Sequence, residues 1–267
     1  GNPHDICCMA RRNFVGATRG DAPDLNFNEQ WLLSDDSVEM GELNRALALP
    51  EGVSEAEFFE RICPPLPDNH QPQSPEPEAI RRHIGDAGHR PYIREHWDER
   101  RWRLLRWAYG RLTERVDGQI GRILQALDDA GLTENTLVIF TSDHGDHAGS
   151  HKLDQKGMFY EESTRIPLLM RWPGRIAAGR VDDATLVSNG LDLVPTWCDV
   201  AGCACPDDLR GLSLLRVADV EATGSAHRQA LPLECALGRA IVTERFKYIR
   251  YDEGADAEQL MDLRDDP

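Results

Sequence analysis

Between Asp98 and about Ala130 the apolar residues recur at intervals of three and four. Trp102, Leu105, Leu112, Val116, Ile120, Ile123, Leu124 and Leu127 fall on one face of a 3.6-residue turn, which predicts an amphipathic helix laid against a core. Gly131 supplies its stop. The pattern then changes. "TLVIFTS", from Thr136 to Ser142, is a short, continuously apolar run of strand type, and "RIPLLMRWP" is a second, closed by Trp172, Pro173 and Gly174. A helix, a buried strand and a polar loop in that order are the grammar of an α/β fold. "NGLDLVPTWCDVAG" predicts a further helix with a proline near its first turn and Gly202 past its end. In the tail, the alternation in "RAIVTERFKYIRYD" predicts strands of a small antiparallel sheet, followed by "EQLMDLRDDP".

The rest of the chain is less periodic. The first 60 or so residues read as irregular polar segments with a short helical piece at "EAEFFERI". Residues 63–91 are rich in proline ("CPPLPDNHQPQSPEPE"), which removes backbone donors and favours extended structure. They are expected to form a long surface loop that serves as a connector. No internal repeat is present.

Composition narrows the possibilities. With 267 residues and a mean hydropathy of −0.50, the chain is expected to be a soluble globular protein with ample material for a core. No run approaches the roughly 20 apolar residues that a membrane span requires. The 46 acidic residues against 30 basic give a formal charge of −16, which disfavours nonspecific nucleic-acid binding because phosphate is repelled over most of the surface. Seven cysteines make an odd count in a long chain, so a full disulfide framework is not expected. Cys203 and Cys205 lack a matching second pair, and zinc is not expected there. The chain opens on Gly1 with neither Met nor a signal peptide, so a processing boundary is expected there and localisation stays open.

Candidate chemistry gathers in one stretch. "TSDHGDHAGSHKLDQK", from Thr141 to Lys156, packs three Asp, three His and two Lys directly after the first apolar run. In open α/β sheets ligands sit beyond the carboxyl ends of the strands, so Asp143 and His144 stand where a metal or substrate is expected, and Gly145 lets the backbone turn sharply. A carboxylate and an adjacent imidazole can ligate one divalent cation. The mix leaves its identity open between oxygen-preferring calcium or magnesium and imidazole-preferring manganese, iron or zinc. The competing reading has Asp143 capping a turn and His144 as a polar loop residue.

Taken together, "LVIFTSDHGD", Gly149, His151, Lys156 and "YEESTRIPLLMRWPG" resemble the sulfatase family of the alkaline-phosphatase-like superfamily. The resemblance extends to "NPHDIC" at Asn2–Cys7, to "RLTERVDGQIGRILQALDDAGLTENT", to "LVSNGLDLVPTWCDVAG", and to "VTERFKYIRYD" with "LMDLRDDP". It is sparse over residues 13–97. It implies an α/β fold with a mixed or parallel sheet sandwiched by helices and a small C-terminal antiparallel sheet. Residues 1–215 would be the second half of the catalytic domain, with a long irregular insertion at 13–97, and residues 216–267 a small α+β subdomain. It also implies roles. Asp143 and His144 would be two of the metal ligands, Lys156 would contact the sulfate oxygens and steady the leaving alkoxide, His4 would sit near the leaving oxygen as proton donor, and His151 would line the pocket. A cation and an ammonium beside a sulfate ester neutralise charge that builds on the departing oxygen, and a His near neutral pH can protonate it. Calcium is the expected metal, with manganese or magnesium as alternatives. His147 is expected to be structural, and Glu161 and Glu162 to be helix-start or salt-bridge residues.

The family also uses a formylglycine made within Cys/Ser-x-Pro-x-Arg and acidic ligands from an early strand, neither of which this sequence contains. "CCMAR" at Cys7 has Met9 at the proline position, and "CPPLP" at Cys63 lacks the arginine. The chain is therefore expected to be the C-terminal portion of a sulfatase, inactive alone, with the formylglycine in a missing N-terminal half and with exposed surface that favours self-association. The expected substrate is a small-molecule or carbohydrate sulfate ester. One alternative is a phosphodiester or phosphonate monoester hydrolase of the same superfamily. Another is a noncatalytic module that binds sulfated glycans or serves as a scaffold.

Overall fold

The computed structural model describes residues 50–86, 90–218 and 228–265. They divide into two units. The first holds described residues up to 72 with 84–125 and 148–154, and the second holds 73–83, 126–147 and 155 onward. His4, Cys7 and Cys8 lie outside the described residues.

Helices come first. α1 is Glu78–Asp86, α2 is Arg90–His96 and α3 is Glu99–Asp129. The α3 bounds match the periodicity. Asp98 starts the helix, its carboxylate accepting from Arg101 N at 2.9 Å. At the far end Gly131 takes φ +67°, Gly131 N donates to Asp128 O at 2.9 Å and Leu132 N to Leu127 O at 3.2 Å, the paired bonds of a Schellman stop. Only the first turns of α3 are buried. Trp102 and Leu105 form the core of the first unit with Ile93 and Trp97, whereas Val116 and Ile123 on the same predicted stripe are 48% and 68% exposed. The stripe is present, but in its second half Leu112, Ile120, Leu124 and Leu127 are only partly buried.

The proline-rich segment is more than a connector. "EAEFFERI" forms a helical turn over Glu55–Glu57 that widens into a π-helical turn over Phe58–Ile62. Phe58 is fully buried, edge-on to Trp107 at 5.1 Å. Prolines cannot donate, yet their neighbourhood still offers carbonyls. The Arg103 guanidinium takes Pro64 O and Cys63 O, each at 2.9 Å, together with Phe59 O. Cys63 is buried, and burial pushes its thiol up to about 11. Residues 78–86 and 90–96, expected to be loop, are helical.

In the second unit β1 (Val138–Thr141) pairs with β2 (Leu168–Arg171), antiparallel and with Phe140 opposite Leu169. The apolar run was expected to be fully buried. Instead Phe140 and Leu169 are 41% and 57% exposed, and among the described residues each strand has the other as its ladder neighbour. A short helix, α4 (Glu161–Thr164), precedes β2. The tail forms the expected antiparallel meander of β3 (Leu231–Cys235), β4 (Gly238–Val242), β5 (Phe246–Tyr251) and β6 (Glu258–Asp262). Alternation on β5 turns Lys247, Ile249 and Tyr251 to the buried face.

α5 (Asn189–Ala201) is capped by Ser188, whose side chain accepts from Leu191 N at 3.3 Å. Pro195 was expected near the first turn and stands in the interior, where it cannot donate to the carbonyl of Leu191 four residues back. Gly211 lies against that carbonyl so closely that a Cβ there would fall 1.7 Å from Leu191 O. The same segment is stitched to the helix by Leu212 N to Asp192 Oδ1 at 2.9 Å and Leu214 N to Thr196 Oγ1 at 2.8 Å. Asp192 is fully buried and takes the Arg228 guanidinium on both oxygens at 2.6 Å. Burial alone would raise the Asp192 pKa. The Arg228 bonds and the backbone donors Leu212 N and Ser188 N outweigh it and hold the carboxyl below its ordinary 3.8.

Asp192→Asn is therefore expected to destabilise the chain by about 3 kcal/mol at neutral pH, because it leaves a largely buried guanidinium without its counter-charge. A carboxyl depressed in the folded state gives stability that is present above its unfolded pKa and is lost as pH falls through the folded value. The wild-type advantage over Asp192→Asn in urea unfolding should thus hold at neutral pH and shrink once pH drops below 3.8. A difference that stays constant into that acid range would exclude the ionic pair as its source.

Candidate active site

β1 ends at Thr141, and the loop after it is fixed from three sides. Ser142 Oγ donates to His144 O at 2.6 Å, His144 N donates to the Asp143 carboxylate at 2.9 Å, and Asn189 Nδ2 at the start of α5 donates to Ser142 O at 2.8 Å and to Asp143 O at 3.3 Å. Asn189 is free for this because the capping of α5 falls to Ser188. Gly145 was expected to serve a sharp turn. Its φ is not in the left-handed region; the requirement is space, since a Cβ would fall 1.9 Å from Glu162 O. Gly145 N also donates to Ser163 O at 2.9 Å, which holds the loop against the start of α4.

Within this frame Asp143 Oδ2 lies 3.2 Å from His144 Nε2. The other ring nitrogen, Nδ1, is 2.8 Å from Gly145 O. A carbonyl only accepts, so Nδ1 carries the proton and Nε2 presents its lone pair. Lys156 Nζ meets that lone pair in a hydrogen bond. Partial burial tends to raise the Asp143 pKa, and the nearby His144, its backbone N–H and Lys156 more than offset this, so the carboxyl sits below its ordinary value and is ionised at neutral pH. The Asp143 side chain is 82% exposed.

Lys156 stands between two left-handed residues, Gln155 (φ +60°) and Gly157 (φ +112°). Ala148, His151 and Lys152 also have positive φ, so non-glycine residues in this rarely populated region cluster along one short stretch. Such clusters persist where the surroundings over-determine the backbone and are typical of functional loops. Two contacts anchor the neighbourhood of Lys156: His147 N donates to Gln155 O at 2.8 Å, and the His147 ring, fully buried, stands edge-on to Tyr160 at 5.9 Å. His147 is thus structural, as expected. Beyond Lys156 the chain is gripped by the C-terminal sheet. The buried Lys247 ammonium donates to Phe159 O at 2.7 Å, to Thr164 Oγ1 at 3.0 Å and to the Glu161 carboxylate, which gives Glu161 the expected salt-bridge role.

The structure thus brings together Asp143, His144 and Lys156. His151 belongs to the first unit, where its N–H donates to Asn69 O at 2.8 Å and its carbonyl accepts from Arg94 Nη2 at 3.1 Å. His4 lies outside the described residues. Ser142 and Asn189 were missed as positioning residues, and no spacing in the sequence signals a contact between residues so far apart.

A cation suits this arrangement. A metal-bound imidazole commonly donates its second N–H to a carbonyl, as His144 does to Gly145, and the ring lone pair already meets a positively charged group with the Asp143 carboxylate 3.2 Å from the ring. These are two donors. Among the described residues no group of three His, Cys, Asp or Glu side chains is placed to hold a metal, so the pair suits part of a ligand set. No helix of the described residues is long and apolar enough to cross a membrane.

Comparison with known proteins gives consistent results. A family model described as Sulfatase matches residues 63–203, and one described as N-sulphoglucosamine sulphohydrolase, C-terminal, matches residues 149–267. The Delta 4,5-hexuronate-2-O-sulfatase of Bacteroides thetaiotaomicron is 32% identical over 214 residues, covering 76% of this chain and 44% of that protein. A solved 2-O GAG sulfatase is 26% identical with a TM-score of 0.72, covering 99% of this chain and 51% of that one. The phosphonate monoester hydrolase of Agrobacterium radiobacter is 31% identical with a TM-score of 0.55, covering 64% and 37% respectively. The chain spans about half the length of the sulfatases it matches.

Gly145→Ala is expected to destabilise the chain by about 2 kcal/mol or more, since the added methyl group meets backbone rather than a flexible side-chain end. Urea unfolding would measure the loss, and the His144 ring resonances should shift with it. A variant with unchanged stability and an unchanged His144 signal would show that the loop does not depend on this close approach.

Proposed function

The chain belongs to the sulfatase family and has its alkaline-phosphatase-like, mixed α/β fold, and from that premise we propose that it supplies part of the site of a metal-dependent sulfuric ester hydrolase. The observation that carries this reading is the convergence of Asp143 Oδ2 and His144 Nε2 to 3.2 Å, with the imidazole tautomer fixed by Gly145 O and the Lys156 ammonium beside it. Asp143 and His144 would hold a divalent cation, with calcium expected and manganese or magnesium as alternatives. Bound there, the ion would neutralise charge on the sulfate oxygens. Lys156 would bind the same oxygens and steady the negative charge on the departing alkoxide. His4 would donate the proton that the leaving oxygen takes up, and His151 would line the substrate pocket. The resemblance of "NPHD" and "GSHK" to the family supports these two roles.

The nucleophile of such an enzyme is a formylglycine from Cys/Ser-x-Pro-x-Arg, a motif that the sequence does not contain. We place it in a portion that the sulfatases carry beyond the stretch matched here, so the chain by itself would not turn over ester. The exposed apolar residues support that arrangement: Phe140 and Leu169 face each other across the ladder, and Val116 and Ile123 are exposed on α3. The same portion would cover them, or copies of the chain would associate through them. In this reading residues 1–215 belong to the catalytic domain and 216–267 to a C-terminal subdomain. The relatives named for 2-O-sulfated substrates support a sulfated carbohydrate as the substrate class. The likeness to a phosphonate monoester hydrolase supports a second reading, in which the ester is one of phosphorus.

In the longest natural polypeptide that contains this sequence, Asp143→Ala is expected to lose its divalent metal by elemental analysis and to lower kcat/KM on an aryl sulfate by about a thousandfold or more. Lys156→Met should keep the metal and lower kcat by about a hundredfold or more. Unchanged metal content in Asp143→Ala would remove the site assignment. A higher kcat/KM on a phosphodiester or phosphonate monoester than on the sulfate would leave the site standing and replace the substrate.

A further inference from the structure

α5 ends in the same backbone device as α3. Gly202 takes φ +66° and ψ +28°, its N–H donates to Asp199 O at 3.2 Å, and Cys203 N donates to Cys198 O at 3.0 Å. These are the two bonds of a Schellman motif, and they have a consequence for side chains. The residue three positions inside the helix end and the second residue past it are brought into contact, which is why both are commonly apolar. At the end of α3 those positions are Leu127 and Leu132. At the end of α5 they are Cys198 and Cys203. Both cysteines are free, Cys198 half-buried and Cys203 exposed. Cys205, also exposed, follows two residues later.

We propose that Cys198 and Cys203 form an oxidisable dithiol, which closes into a local disulfide at the C-terminal end of α5 by exchange with a low-molecular-weight disulfide. The pairing rests on backbone geometry: the helix stop bonds Cys203 N to Cys198 O at 3.0 Å and so brings the two residues side by side. Exposure sets the order of events. The accessible Cys203 thiolate attacks one sulfur of the external disulfide, and a mixed disulfide forms as one small thiolate departs. The Cys198 thiolate then attacks the Cys203 sulfur and expels the second small thiolate. One S–S bond forms in the protein as one breaks in the reagent. The two thiol protons pass to the two departing thiolates, and the reagent is reduced as the dithiol is oxidised. The neighbouring Cys198 thiol is the first cause holding the Cys203 thiol above its ordinary value, so exchange should be slow at neutral pH and faster in alkali as the thiolate forms. The site owes nothing to Asp143, His144 or Lys156, and it stands whether or not the hydrolase reading does.

Oxidised glutathione is the probe. After incubation with the protein, alkylation of residual thiols and trypsin digestion without reductant, the peptide running from Val181 to Arg210 should carry a single alkyl group and weigh two hydrogen atoms less than the same singly alkylated peptide with two free thiols. Its fragment ions should place the bond between Cys198 and Cys203, with Cys205 alkylated. Cys205→Ser should leave that bond intact, and Cys203→Ser should abolish it. A bond from Cys205 to either of the other two would overturn the proposal. So would a Cys205→Ser protein in which glutathione stays attached to Cys203 without closing onto Cys198. The wild-type peptide map decides without any variant, so a substitution that fails to fold does not weaken the test.

Discussion

A buried ammonium holds the candidate site in place. Lys247 projects from β5 into the interior, where it meets a backbone carbonyl, a hydroxyl and a carboxylate, all supplied by residues 159–164. Burial pulls the Lys247 pKa down, and the opposing pull of Glu161 works to keep the proton on. Isolated buried charges are rarely tolerated, and here each donor has an oxygen to meet. The result is a clamp: the C-terminal sheet grips the segment that follows Lys156, and the start of α4 in turn holds Gly145 through Ser163 O. Asp143 and His144 are thus braced at second hand by a lysine more than a hundred residues downstream.

The loop that carries the candidate ligands spends stability on its shape. Several non-glycine residues between 148 and 155 adopt left-handed backbone, each costing about 1 kcal/mol or more in the absence of compensation. Compensation comes in part from carbonyls and rings fixed by neighbours, such as Gln155 O accepting from His147 N. The electrostatics follow the same logic. Asp143 is kept ionised beside an imidazole whose proton is committed to Gly145 O, so the lone pair and the carboxylate face the same region without competing for a proton.

What could be read from the sequence was whatever is local. The bounds of α3, its stop at Gly131 and the alternation of β4 and β5 come from side-chain period and one glycine, and all three agree with the structure. The positions of Asp143 and His144 after a strand were equally plain. α1 and α2 were hidden because proline-dense sequence suggests extended chain. Pro77 in fact precedes α1 and Pro91 lies in the first turn of α2, where a missing N–H does no harm. The interior Pro195 was placed too early for a similar reason, since the contact that tolerates it, Gly211 against Leu191 O, comes from distant chain. The roles of Asn189, Ser142 and Lys247 are tertiary throughout, and a single sequence has no period that encodes them.

The apolar pattern also records positions that the described residues do not bury. Phe140, Leu169, Val116 and Ile123 sit where periodicity called for a core, and each is at least 41% exposed. Fully burying a side chain of this kind is worth about 1.5–3 kcal/mol, so leaving such side chains in water is an incentive for association. Phe140 and Leu169 make the point most directly. They are register partners on adjacent strands, so their side chains project from the same face of the ladder and form one patch rather than two isolated exposures. Sulfatase relatives about twice as long as this chain would have the material to cover such a patch. The loop leaving β1 carries Asp143 and His144 out at its carboxyl end, where a ligand of an α/β fold is expected.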